Sequence, residues 1–335
     1  MPELSGPQAA PTLDPDLAIV DSHHHLFDRP AQRYLLDEYL ADAASGHRVT
    51  DTVYVEMQSF ARASGPAWLR PIGEVEFANG VGAMAACGPA HRCRVARGIV
   101  GHADLSLGAE VARLLDRALA CAPERFRGVR QIALSHPNPK VLGHLSHRPP
   151  QDLLKHPAVP TALKALAQRG LSLDATVFHH QLHELAALAD GEPQLSIVLE
   201  HLGLAVVEAP GAAARAAVFP AWRAALFELA RRPNVVCKLS ALGSTFWGFE
   251  FHLGASKPDH LALAEAWRPY VETAIEAFGA SRCMFGSNYP PDARSCSYHA
   301  LWNAYKLITA ACSANERQQL FSGTARRVYR LADLP

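Results

Sequence analysis

The chain of 335 residues carries 32 Lys and Arg against 32 Asp and Glu, together with 17 His and 49% hydrophobic residues. Zero net charge removes the long-range pull towards nucleic acid or an anionic membrane surface, and so much apolar content excludes a disordered chain. The length fits either two ordinary domains or one large α/β barrel.

Residues 1–16 hold Pro2, Pro7, Pro11 and Pro15 and no apolar run. They are expected to form a flexible arm, not a signal peptide, ahead of one domain over 17–335. Short apolar runs follow at 17–20, 52–57, 93–100, 128–134, 171–178, 195–199, 235–239 and 283–286. Helical patterns lie between them at 74–86, 108–121, 161–169, 181–189, 218–231, 260–278 and 297–311. Strands alternating with helices imply βαβ units and a parallel sheet. Eight such strands predict an α/β fold of the closed (β/α)8 kind. The runner-up is a doubly wound open sheet, but no Gly-x-Gly-x-x-Gly follows the first strand. The loops 61–92, 135–157 and 241–258 each follow a strand, so in a barrel they overhang the C-terminal rim, where substrate pockets form.

Seven cysteines are scattered without a Cys-x-x-Cys pair, which fits a reducing cytoplasm. No apolar stretch reaches the ~18 residues of a membrane span. The expected partner is a small-molecule substrate, with no nucleic acid and no membrane. A homo-oligomer is left open.

The chemistry gathers where strands end. The first strand runs into Asp21-Ser22-His23-His24-His25-Leu26-Phe27-Asp28. Residues two apart share a face of a strand, so His23 and His25 point together into the barrel mouth and suit a divalent metal such as zinc. The fifth strand ends in Phe178-His179-His180-Gln181 and the sixth in Glu200-His201-Leu202-Gly203. Glu56 ends the second strand, where it faces the pocket or pairs with Arg127 or Arg130. Lys238 alternates with Val236 and Ser240 and is expected to point inward. Gln181 is a candidate hydrogen-bond donor to substrate.

These motifs resemble those of the amidohydrolase-related family of TIM-barrel hydrolases, in particular its sugar-lactone and 2-pyrone-4,6-dicarboxylate lactonases. The resemblance spans about 17–330. It rests on the His-x-His strand end, on Arg-Gly-Val-Arg at 127–130, on the His179 region, on Glu-His-Leu-Gly at 200–203 and on Met-Phe-Gly-Ser-Asn-Tyr-Pro at 284–290. The segment 320–329 is similar to the family's closing helix. The resemblance implies a hydrolase of small cyclic esters, with water attacking a carbonyl polarised by a His cluster. It assigns His23, His25 and His201 to a metal, zinc or manganese, if one is bound, and implies no organic cofactor. His179 and His201 become catalytic candidates. Arg127 and Arg130 would hold an anionic group, with Gln181, Glu56 and Lys238 as further substrate contacts. Asn288 falls where many members carry a strand-eight Asp. A carboxamide cannot take a proton from water at neutral pH, so Asp292 is the expected replacement base beside it. Two alternatives stand: a metal-dependent decarboxylase or hydratase on the same barrel, and a barrel that binds a small molecule without turnover.

Overall fold

A computed structural model describes residues 10–331 apart from 31, 88–92, 146–147 and 210. His147 of the 135–157 loop, the end of the 61–92 insertion, the first nine residues of the arm and 332–335 lie outside the described residues.

The chain runs β1 (Ala18–His24), β2 (Phe27–Arg29), β3 (Gln32–Tyr34), α1 (Leu36–Ala43), β4 (Arg48–Val55), α2 (Ile72–Cys87), β5 (Arg94–His102), α3 (Val111–Cys121), β6 (Phe126–Ile132), α4 (Val159–Ala167) and β7 (Ser172–Thr176). It continues α5 (Leu182–Gly191), β8 (Ile197–Leu199), α6 (Ala212–Ala230), β9 (Val235–Leu239), α7 (His260–Phe278), β10 (Cys283–Phe285), α8 (Tyr298–Ile308), α9 (Ala314–Gln318) and α10 (Thr324–Val328). One sheet takes eight strands in the order β1-β4-β5-β6-β7-β8-β9-β10, every adjacent pair parallel. This is the predicted (β/α)8 barrel.

Alternation on the strands fills the interior. Val20, Val53, Val55, Val100, Val198, Val236 and Met284 form its apolar part, plugged by Val328, Tyr329 and Leu331 from the C-terminal segment. The helices cover the outside, and their ends carry the expected signals. Asp259 caps α7 by accepting from the N–H groups of Leu261 and Ala262, and Ser297 caps α8 through Ala300 N–H. A capping box of Ser313 and Glu316 opens α9.

Closure between β10 and β1 is made past the end of β10. Asn288 N–H donates to His23 O at 2.8 Å, and His25 N–H donates to Tyr289 O at 2.8 Å. Below that seam, the buried Asp21 carboxylate accepts from Ser287 N–H (2.8 Å), Ser287 Oγ (2.7 Å), Tyr39 Oη (2.9 Å) and Tyr298 Oη (3.2 Å). Gly286 is there because β1 passes so close. A Cβ on it would sit 2.7 Å from His23 Cβ and 3.0 Å from His23 N. Gly286→Ala should therefore push β1 outward, costing about 1–3 kcal/mol in thermal unfolding.

Some expectations needed correction. The hairpin of β2 and β3 and helix α1 were not foreseen, because three-residue strands fall below any periodicity signal. Helix α6 begins at Ala212, not 218: its first turns are alanine-rich, which favours a helix without marking an amphipathic face. Residues 10–16, expected in a flexible arm, are held against α8. Asn303 takes Leu13 N–H (2.8 Å) and donates to Pro11 O (3.0 Å), while Lys306 donates to Leu13 O (2.8 Å) and Asp14 O (2.9 Å).

Candidate active site

At the C-terminal mouth, β1 presents two buried imidazoles. Their Nε2 atoms face one another at 3.1 Å. His25 Nδ1 lies 2.8 Å from Val55 O, a carbonyl that can only accept. The ring proton is therefore on Nδ1, and Nε2 keeps its lone pair. His23 Nδ1 lies 3.1 Å from Glu200 Oε1; a proton on that nitrogen satisfies the carboxylate and leaves His23 Nε2 as a second lone pair. Two lone pairs aimed at each other in a buried site are the arrangement a cation resolves.

The third imidazole arrives from β8. His201 Nδ1 is held by Ser240 Oγ at 2.8 Å, and its ring centroid is 4.6 Å from that of His23. His23, Glu200 and His201 each offer a ligand atom, all within 4.8 Å of one another and all buried. The set of imidazoles and one carboxylate suits a divalent metal of the zinc type, with His25 alongside as a further donor.

Strand alternation points to His201 and away from Glu200, because period two puts neighbours on opposite faces. The backbone breaks that rule here. His201 and Leu202 have φ of 56° and 55°, and Gly203 has φ of 65°. Three successive left-handed residues cost strain that persists where a site requires it. The turn carries both Glu200 and His201 to the mouth.

Around this centre lies a buried lattice of charge. Glu200 Oε2 accepts from Thr176 Oγ1 at 2.6 Å, and Arg130 Nη1 lies 3.7 Å away. Arg130 Nε donates to Glu56 Oε1 at 2.8 Å, and its Nη2 donates to Glu56 O. Lys238 points inward as expected and donates to Asp174 Oδ2 at 2.7 Å and Glu200 Oε1 at 3.4 Å. Burial works to raise the Glu200 pKa, but its contact with His23 and the charges of Lys238 and Arg130 overcome it and hold the carboxylate well below its usual range. Burial drives His23 and His25 well below the ordinary imidazole value and His201 to about 4. Neutral imidazoles are the form that binds metal.

Asp292 is fully buried on the β9–β10 side. Asn288 Nδ2 donates to its Oδ1 at 2.8 Å and Gly243 N–H to its Oδ2 at 3.0 Å. Burial pushes its pKa up to about 7. Asn288 itself has φ of 52°, a conformation asparagine tolerates. Its backbone N–H bond to His23 O ties the Asn288 backbone to the end of β1.

The other candidates are either remote from the cluster or already engaged by protein groups. Arg127 lies at the start of β6, the opposite end of the barrel, and donates to Pro123 O, Glu124 O and Phe126 O. Arg130 is in the centre but is consumed by Glu56 and Glu200. Lys238, at 0% exposure, is engaged by Asp174 and Glu200. Gln181 accepts from Ser135 and Phe178 N–H and donates to Ala133 O, which pins two loops together. His179 Nδ1 accepts from Val206 N–H at 3.3 Å, turning the ring to the loop after β8.

The amidohydrolase family model matches residues 20–331. A Sinorhizobium fredii protein, y4mH, is 33% identical over 94% of this chain and 99% of its own length. An L-fucono-1,5-lactonase of Burkholderia ambifaria is 29% identical over 72% of this chain and 73% of its own. An amidohydrolase of Burkholderia multivorans, solved with bound zinc, superposes with a TM-score of 0.69 at 25% identity, covering 94% of this chain and all of the other. The chain belongs to the amidohydrolase family, and its His23, Glu200 and His201 cluster is suited to metal-assisted attack of water on a carbonyl.

Proposed function

We propose that this amidohydrolase-family enzyme hydrolyses a small lactone, and that the substrate is a neutral, hydroxylated sugar-acid lactone. The observation that carries the reading is the buried cluster of His23, Glu200 and His201 at the mouth; Asp292, on the loop that follows β10, is our candidate for the base. Ester hydrolysis needs an electrophilic anchor for the carbonyl and a base for the water, and no organic cofactor. The likeness to L-fucono-1,5-lactonases supports the same substrate class.

His23, Glu200 and His201 would hold one divalent ion, and when bound it polarises a carbonyl and lowers the pKa of water. The protein supplies the rest. Val55 O and Ser240 fix the ring orientations of His25 and His201. Lys238 and Arg130 keep Glu200 ionised. Asp292, held by Asn288 and Gly243 N–H, takes the proton from the attacking water. It then returns that proton to the ring oxygen as the ester bond breaks.

Neither arginine of the Arg-Gly-Val-Arg motif is free to hold an anionic substrate such as a pyrone dicarboxylate. Arg127 is at the far end of the barrel, and Arg130 already faces two carboxylates. The test is acid release from a panel of 1,4- and 1,5-lactones, neutral and carboxylated, read with a pH indicator. Turnover of neutral sugar lactones is expected; acid release from none of the panel would overturn the reading. Chelation should lower turnover by at least about 100-fold, with recovery on adding zinc or manganese. It should also lower the melting temperature, because a ligand at 100 times its Kd contributes ~2.7 kcal/mol.

A further inference from the structure

On the β4–β6 side of the mouth is a cavity of about 160 Å3 that the steps above do not use. Gln58 lines it from beyond β4, His102 from the end of β5, Asp104 from just past that end, and Arg148 from the loop after β6. Liquid water takes ~30 Å3 per molecule, so the space suits a tail of a few heavy atoms. The wall offers an amide, an imidazole, a carboxylate and a guanidinium, a mixture of donors and acceptors with balanced charge. One of these groups is incomplete: among the described residues nothing hydrogen-bonds the buried Nδ1 of His102. A buried polar atom without a partner is costly and points to a group that arrives with a ligand.

The cavity is tied to the reaction centre. Gln58 N–H donates to Glu56 Oε2 at 2.9 Å, and Glu56 holds Arg130. His102 is the register partner of Arg130 across β5 and β6. Asp292 lies on the other side of the mouth, against the β9 loop and the end of β10. A lactone carbonyl over the His cluster would have the base on one side and this cavity on the other.

We propose that the cavity lined by Gln58, His102, Asp104 and Arg148 is the subsite for the hydroxylated tail of the substrate, and that it selects polyhydroxylated lactones over bare ones. The inference rests on the lactonase reading and adds which part of the substrate is recognised. The vicinal hydroxyls of a sugar lactone are donors and acceptors at once. They can donate to His102 Nδ1 and Asp104 and accept from Gln58 and Arg148.

Two measurements decide it. The first is the ratio of kcat/KM for a hexono-1,5-lactone to that for δ-valerolactone, in wild type and in His102→Ala/Arg148→Met. Loss of two hydrogen bonds should cut the ratio about 10–100-fold. A role in folding alone lowers both rates together, and an unchanged ratio overturns the subsite while leaving the lactonase reading intact. The second is calorimetric binding of the neutral, non-hydrolysed D-glucono-1,5-lactam and L-galactono-1,5-lactam, which needs no turnover. The variant should raise Kd at least about 10-fold for whichever probe binds. Equal Kd in both proteins, or binding of neither probe to wild type, overturns the proposal even if no lactone proves to be a substrate.

Discussion

Asp292→Asn is expected to lower kcat by about 100- to 10,000-fold, the range for removing a positioned general base, without loss of bound metal. The carboxylate is buried between Asn288 Nδ2 and Gly243 N–H, and an amide can keep both contacts if Asn288 turns its own amide. Burial raises the pKa of Asp292 to about 7. As a base it must be ionised, so wild-type kcat/KM should rise with pH through about 7 and level above it. Tyr289, Cys296 and Tyr305 face the same carboxylate. Burial lifts all three further above their ordinary values, so none of them titrates in that window.

Stability carries the opposite sign. A carboxyl whose pKa is higher in the folded chain favours the protonated form. It is cost-free below the unfolded value near 4, and it penalises the fold increasingly as pH climbs to about 7. Asp292→Asn should therefore melt no lower than wild type at pH 8 while being nearly inactive. A carboxylate that served only to tie down the loop at Gly243 would give the reverse: near-normal turnover with reduced stability.

Legibility in the sequence followed the rules that generate each feature. The barrel was readable because β-strands and helices impose distinct periods, and 235–239 and 260–278 coincide with β9 and α7. His23 and His25 were readable because two residues apart on a strand end means one face. Glu200 was not, since the left-handed turn at His201 and Leu202 suspends the alternation on which such inference depends. Arg127 went astray for a simpler reason. Strand β6 begins at Phe126, which places Arg127 at the foot of the barrel and leaves only Arg130 to reach the centre. The motif as a string does not say which of its two arginines lies above the sheet and which below. Asp174 was invisible because its role depends on partners from β9 and the C-terminal segment, 64 and 155 residues away.

That last network supports the second large effect, in Lys238→Met. Lys238 Nζ lies 2.7 Å from Asp174 Oδ2, 3.4 Å from Glu200 Oε1 and 3.4 Å from His23 Nδ1, and 5.2 Å from the centroid of the Tyr329 ring. Lys238, Asp174, Glu200, His23 and Tyr329 are all at 0% exposure. Removing the ammonium leaves two carboxylates buried with too little positive charge. Breaking one partner out of such a pair costs about 3–5 kcal/mol, a drop of about 4–7 °C in melting temperature for a chain of this size. Metal affinity should fall too, because Glu200 loses the ammonium that positions it. Tyr329 Oη donates to Asp174 Oδ2 from the C-terminal plug, so Tyr329→Phe should cost less, about 1 kcal/mol. The two changes act on one carboxylate and should be non-additive. Adding Asp174→Asn to Lys238→Met should recover part of the stability, since it removes one of the stranded charges, but not the metal affinity. Full additivity of Lys238→Met and Tyr329→Phe would show that the plug and the metal ligands are not joined through Asp174.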